Sequence, residues 1–366
     1  MQSFIKENEQ VSSYFVFFLV HSMQIGVGIL GFPHYIATDA GNDGWISVIL
    51  AGIGVHVVVW LSYKVLDKSK GDLIDVHAQL FGKWIGGALS LLFTLYSLVL
   101  TITVLRTFTE VVQVWVFQEL STWIFCAVFL VIIFAFVSGG FRVVTGVCFL
   151  SVIYGLPLLI VNYFPLRHAR FENLLPILDH SMAELLKASQ TMTLSFIGFE
   201  MLFFYYPFIK HAAASQRWAH YGVLYSTITY LIMAVVSFVY YSEEQLGKLI
   251  WATMTLWKIV DLPFVERFEY VGIAIWVTVV LSNLCLSSWG AYYGFNRLFS
   301  FSANARFTMA GLGLLMLLGC GFLTTRGQID LLNSIMARIG FYFFYAYIPF
   351  LFLIQWVVLK VKGSQR

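Results

Sequence analysis

Apolar stretches of 16 to 25 residues alternate with short polar connections from residue 14 to residue 360. A helix that crosses about 30 Å of hydrocarbon needs about 20 mostly apolar residues. The pattern therefore predicts ten transmembrane helices, at residues 14–38, 45–66, 85–107, 122–137, 143–164, 186–209, 221–241, 270–293, 307–323 and 341–360. No connection has the length or composition of a separate soluble domain or a low-complexity linker, so residues 1–366 read as one all-α integral membrane domain.

Two of the ten helices carry their own interruptions. In the first, "IGVGILGFP" at residues 25–33 places Gly26, Gly28 and Gly31 around Ile29, just ahead of Pro33. In the sixth, "LSFIGFEMLFFYYP" at residues 194–207 contains Ser195, Gly198, Phe199, Glu200 and Pro207. Backbone released from helical pairing inside a bilayer is tolerated only where it is buried in protein or lines a polar cavity. Helices one and six are the first members of two five-helix halves. Five is odd, so the second half enters the membrane from the opposite side, which gives a 5+5 inverted repeat with broken helices one and six. Half-helix N-termini offer N–H groups to an anion and half-helix C-termini offer carbonyls to a cation, so the breaks suit a zwitterion. Its carboxylate would lie against the backbone at Gly26 to Gly31, and its ammonium near the carbonyls of Ser195 to Gly198. Small-residue helix packing is the other reading of the same glycines.

Composition strengthens the membrane assignment. Hydrophobic residues make up 60% of the chain, aromatic residues 18% and charged residues 11%, with a mean hydropathy of +0.82. The glycines also satisfy the G-x-G-x-x-G pattern of dinucleotide sites, but that pattern works only between a strand and a helix of a βαβ unit, so no nucleotide cofactor is implied. A net charge of +3, spread along the chain, does not suggest a nucleic-acid partner. Cys126, Cys148, Cys285 and Cys320 stand apart in apolar stretches without a C-x-x-C, and read as helix-packing residues rather than metal ligands or a disulfide framework. The N-terminal apolar run lacks a small-residue cleavage site, so a removed signal peptide is not expected. The sequence has no G-x-S-x-G elbow, no H-E-x-x-H and no P-loop, so enzymatic chemistry is not indicated.

Orientation follows from the basic residues. With the N-terminus in the cytoplasm, thirteen Lys and Arg, from Lys6 to Arg366, lie inside and nine outside, and both termini are cytoplasmic.

Among polar residues at membrane depth, Glu200 is the clearest, because an acid at a helix centre costs roughly 3 kcal/mol. Two readings stay open: it binds a ligand amine or a proton, or it is tied to backbone or a neighbouring Tyr as a brace. Arg106 is expected to snorkel to the interface. Tyr96, Ser97 and Thr101 on the third helix, with Ser282, Asn283, Ser287 and Ser288 on the eighth, are weaker pocket candidates. His21, Gln24, Tyr342, Tyr345 and Tyr347 read as packing or interfacial residues. "DLPFVERFEY", residues 261–270, reads as an external amphipathic segment.

Taken together, a short polar N-terminus, "IGVGILGFP", "IGFE" in the sixth helix and "PFVERFEY" before the eighth resemble the B subunit of the spore germinant receptors. These belong to the amino acid, polyamine and organocation transporter superfamily. The resemblance spans nearly the whole chain. It implies a LeuT-like transporter fold in the inner membrane of a bacterial spore, and a subunit that senses a small nutrient germinant, an amino acid or a sugar, beside A and C subunits. Members commonly carry Arg after the Pro of the glycine break, where this chain has His34. The leading expectation is a receptor that binds a small-molecule germinant at Gly26, Gly28, Ile29, Gly31, Tyr96, Ser195, Gly198, Phe199, Glu200 and Asn283, with no cofactor. The alternatives are a secondary amino acid transporter, possibly proton-coupled through Glu200, and a structural subunit with no ligand of its own.

Overall fold

Asp72 opens the longest helix with a reciprocal cap: its carboxylate accepts the Asp75 N–H at 3.0 Å, and the Asp75 carboxylate accepts the Asp72 N–H at 3.3 Å. Such a cap satisfies backbone donors that the first helical turn leaves unpaired. The same reciprocal cap recurs at Ser181, Ser242 and Thr325. The computed structural model describes residues 5–299 and 305–363. Among the described residues there are no strands, only isolated bridges from Val11 to Ile209 and from Leu262 to Val265.

The principal helices are α1 (Phe15–Gln24), α2 (Phe32–Ala40), α3 (Gly44–Ser69), α4 (Leu73–Trp115), α5 (Thr122–Ser138), α6 (Phe141–Ile160), α7 (Met182–Thr191), α8 (Thr193–Phe196), α9 (Leu202–Tyr205), α10 (Gln216–Tyr240), α11 (Ala252–Trp257), α12 (Phe268–Phe299), α13 (Ala305–Phe322), α14 (Arg326–Tyr342) and α15 (Ile348–Gly363). Six helical stretches are long and apolar enough to cross a membrane: Phe32–Ser69, Leu73–Trp115, Phe141–Leu166, Ala212–Tyr240, Phe268–Phe299 and Arg326–Val358. Phe15–Gln24, Thr122–Ser138 and Arg306–Phe322 are apolar but shorter.

Helix α12 runs along α4 and α6, and α1 is held between α6 and α10. At the α1 and α10 crossing, a Cβ on Gly222 would come within 2.8 Å of the Phe17 carbonyl, the close approach that small residues allow between membrane helices. The centre is aromatic: Tyr205, Tyr230, Phe196, Phe199, Phe203, Phe204 and Phe344 are fully buried. Ile53, Val57 and Trp60 of α3, with Ile124, Val128 and Val131 of α5, are exposed on the outside at helical spacing, an arrangement suited to hydrocarbon rather than water.

Several expectations need correction. Helix α4 is kinked at Gly82, whose φ of 75° is non-helical, so the turns from Leu73 precede the apolar stretch expected from residue 85. The last apolar helix begins at Arg326 and passes through a wide π turn at Phe343–Tyr347 before continuing as α15. Arg106 does not snorkel: it is buried, and its Nε donates to the Leu323 carbonyl at 2.6 Å, completing the end of α13. Arg366, counted among the inner basic residues, lies outside the described residues.

Candidate functional site

Helix α1 stops at Gln24, and Ile25 and Gly26 are extended. Val27–Leu30 then makes a single 3-10 turn, and α2 begins with Pro33 in its first turn. Three glycines in six residues carry little helix propensity, and the proline has no N–H to donate backwards. The carbonyls released by the break are claimed by side chains from three other helices. The Asn283 amide donates to Ser22 O and, at 3.3 Å, to Ile25 O. The Tyr230 hydroxyl reaches Gln24 O at 2.7 Å, and Thr253 Oγ1 donates to Ile29 O at 2.8 Å. Asn283 Oδ1 lies so close over Gly26 that any Cβ there would collide with it.

The second break has another construction. Ser181 and Glu184 form a capping box for α7, and α8 ends where Ile197 turns extended. Gly198 then takes φ 123°, a conformation that side chains resist, with Met23 against it. Its N–H donates to Glu200 Oε2 at 2.6 Å, while Tyr96 donates its hydroxyl to Glu200 Oε1 at 2.7 Å. Glu200 is fully buried, so the carboxylate acts as a brace between the second break and α4. Gln24 Nε2 donates to Phe196 O at 3.4 Å, and the Tyr230 hydroxyl lies 3.0 Å from Ser195 O, so the two breaks are tied to each other. The Phe199 ring packs against Phe344 of the π turn, centroids 4.6 Å apart.

A cavity of about 590 Å³ opens beside both breaks. Gly28, Gly31 and Ser195 line it; Gly26, Ile29, Tyr96, Gly198, Phe199, Glu200 and Asn283 do not, and form the buried wall behind. Ile29 instead borders a separate, small apolar cavity of about 40 Å³, together with His21, Thr229, Trp257 and Trp276. The rest of the large cavity comes from α2, α7, Ile250, Trp251 and one face of α14: Arg326, Asp330, Asn333, Ser334, Ala337 and Arg338. That face, Tyr230 and Thr253 were not singled out by the sequence. The 326–338 spacing of polar residues on one helical face was the available signal, whereas nothing distinguishes Tyr230 among 19 tyrosines.

The weaker candidates are absorbed by packing. Ser97 donates to Ser287 O at 2.7 Å and Thr101 to Ser287 Oγ at 2.8 Å, joining α4 to α12, and Ser282 bonds its own helix at Val279 O. His21 Nδ1 meets Ser226 Oγ at 2.9 Å, and the Tyr347 hydroxyl meets His77 Nε2 at 2.7 Å. The four cysteines are buried and free. Among the described residues no three His, Cys, Asp or Glu side chains gather as a metal site.

At the other end of α4 and α12 lies a second cavity, of about 570 Å³, bordered by Asp67, Asp75, Tyr206, Tyr293 and Arg297. Beside it Phe141, Phe208, Trp289 and Tyr293 cluster with centroids 4.7 to 5.3 Å apart, Trp289 stacked on Tyr293 and both edge-on to Phe208. Arg297 bridges to Asp75 at 2.9 Å and to Asp72 at 3.4 Å on that side. Arg326 bridges to Glu110 at 2.8 Å and to Asp330 at 2.9 Å at the first cavity.

A family model described as spore germination protein matches residues 10–329. Spore germination protein GerQB of Bacillus cereus is 40% identical over 353 residues, covering 96% of this chain and 98% of that one. Spore germination protein A2 of Bacillus subtilis (strain 168) is 24% identical over 305 residues, 80% of this chain and 82% of that one. A solved Na+-coupled sialic acid symporter, in a substrate-bound outward-open state, superposes with a TM-score of 0.67 at 12% identity, over 92% of this chain and 78% of that chain. At that identity the likeness is one of fold.

Proposed function

This chain belongs to the spore germination protein family as a homologue of germinant receptor B subunits, and on that premise we propose that a small polar nutrient binds in the 590 Å³ cavity and biases the helix bundle between two states. The observation that carries this reading is the cavity itself, which has residues of both helix breaks, Gly28 and Ser195, in one wall. In a bilayer such breaks are stable only beside protein or a polar cavity, and here they border both. A ligand shifts a two-state equilibrium only by its difference in affinity for the states. The first break, held by contacts from α10, α11 and α12, is where such a difference arises, and A and C subunits receive the change.

The wider architecture of the proposal is a single domain of ten spans, arranged as a 5+5 inverted repeat, with both termini in the cytoplasm and the chain in the spore inner membrane. In this arrangement α1 with α2 makes the first crossing, α3 the second, and the interrupted segment from α7 to α9 the sixth. Glu200, Asn283 and Tyr96 serve as the supports that shape the site, and Gly28, Gly31 and Ser195 touch the germinant.

The test is germination of spores lacking this chain, against their parent, over a panel of amino acids and sugars. Selective loss of the response to one nutrient class, reproduced by enlarging Gly28, supports the reading. An unchanged response to every nutrient sinks it. A second reading, a working secondary transporter, draws on the cavity at the opposite end of α4. Saturable uptake of labelled amino acid into proteoliposomes containing this chain alone would favour it.

A further inference from the structure

Three cations line the large cavity. Lys187 is bound to Asp39 at 2.7 Å, and Arg326 to Glu110 and Asp330. Among the described residues Arg338 has no carboxylate within 4.0 Å. It stands on the cavity side of α14 beside Ser334 and Ala337, two residues before Gly340. Gly340 packs directly on the second break, where a Cβ would meet Ile197 Cδ1 at 2.7 Å and Thr193 Cγ2 at 3.7 Å. At about 1.5 Å of rise per residue, Arg338 is within about one turn of that contact along the helix. Arg338 is exposed on the cavity side of α14, where its guanidinium is open to an anion entering the cavity, and a carboxylate matches its planar fork with two parallel charge-assisted bonds.

The geometry points to Arg338 as the specificity-determining residue of the germinant site: it pairs with a carboxylate on the nutrient, and so selects amino acids over uncharged sugars. The inference rests on the cavity being the germinant site. It also moves the anionic end of the ligand away from the glycine turn, where Gly26 is sealed beneath Asn283, to the wall formed by α14. Asn333, whose Oδ1 accepts from Thr107 at 3.2 Å, stands on the same face and leaves its amide N–H groups for a neighbouring carboxylate oxygen.

The experiment uses the full chain in nanodiscs of neutral lipid and, separately, of anionic lipid, with calorimetric titration of the L-amino acids, a hexose and a purine nucleoside. The tightest amino acid is then compared with its own carboxamide. The expected result is binding of the acid at least tenfold tighter than of the amide, with that ratio falling to near one in Arg338→Gln and only partly kept in Arg338→Lys, which retains the charge but not the fork, in both lipids. Equal binding of acid and amide by the unaltered chain overturns the inference, with no need for a variant. So does an Arg338→Gln effect confined to anionic lipid, which would assign the guanidinium to a headgroup. Failure of the site itself reads differently: binding of some probe that is indifferent to Gly28→Val, or no binding of any probe, removes the cavity assignment on which Arg338 depends.

Discussion

At the first break, carbonyls from Ser22 to Ile29 are served by Asn283, Tyr230 and Thr253, each on a different helix, whereas at the second the Gly198 N–H is taken by Glu200, two residues along the same segment. The first is therefore held from outside and follows its neighbours when they move. The second has its exposed N–H closed on its own acid, is pinned to α4 through Tyr96, and offers the carbonyls of Ser195 and Phe196 to Tyr230 and Gln24. Gly28 faces the cavity while Gly198 faces Met23 of α1. Two interruptions that look equivalent in the sequence thus divide the work of holding the bundle: the first is secured by side chains of three other helices, and the second braces α4 through Glu200.

The largest expected effect comes from filling the anchor. Gly198→Val forces a branched side chain into φ 123°, 2.5 Å from Met23 Cβ, and should cost about 3 kcal/mol or more from backbone strain and overpacking combined. Loss of monodisperse protein on detergent size exclusion is the readout. Next, Glu200→Leu leaves the Gly198 N–H and the Tyr96 hydroxyl without an acceptor and should lower stability by about 2 kcal/mol, seen as a lower thermal midpoint. Glu200→Gln keeps an acceptor and should recover much of that while leaving germinant affinity within about twofold, roughly 0.4 kcal/mol. A complete loss of binding in the Gln variant with an intact fold would make Glu200 a ligand contact and dissolve the division of labour. Tyr230→Phe removes the donor shared by both breaks, with an expected cost of about 1 kcal/mol. The smallest change in stability is expected for Gly28→Ala, below about 1 kcal/mol, since its Cβ would sit 3.2 Å from the movable Ser195 Oγ. Binding should nevertheless fall at least tenfold, about 1.4 kcal/mol. Equal destabilisation by Gly28→Ala and Gly198→Ala would show that the breaks are mechanically alike.

Both interruptions were legible because glycine and proline act through local backbone energetics, which need no knowledge of neighbours. Helix α5 is simpler still, because an uninterrupted apolar run between Ser121 and Gly139 leaves its limits little choice. What a residue does for a remote partner was not legible. Glu200 announced itself as an acid at depth, but its bonds to Gly198 and Tyr96 come into view only once α4 is in place. Asn283 looked like a pocket residue and turned out to cap α1, 261 positions away in sequence from Ser22. The polar face of α14 was missed because the hydropathy pattern placed the last helix at residue 341 and treated the preceding turns as a loop, although a capping box at Thr325 and Gln328 starts the helix there.

Tyr230 has a single hydroxyl proton and two claimants, Gln24 O at 2.7 Å and Ser195 O at 3.0 Å. A phenol can satisfy one of them well or share itself between both. If the two half-helices slide apart by an ångström or so, the proton swings to whichever carbonyl stays near, and one full bond survives. The phenol thus spans the joint between the two breaks, and a shift that draws one carbonyl away leaves it the other as a partner.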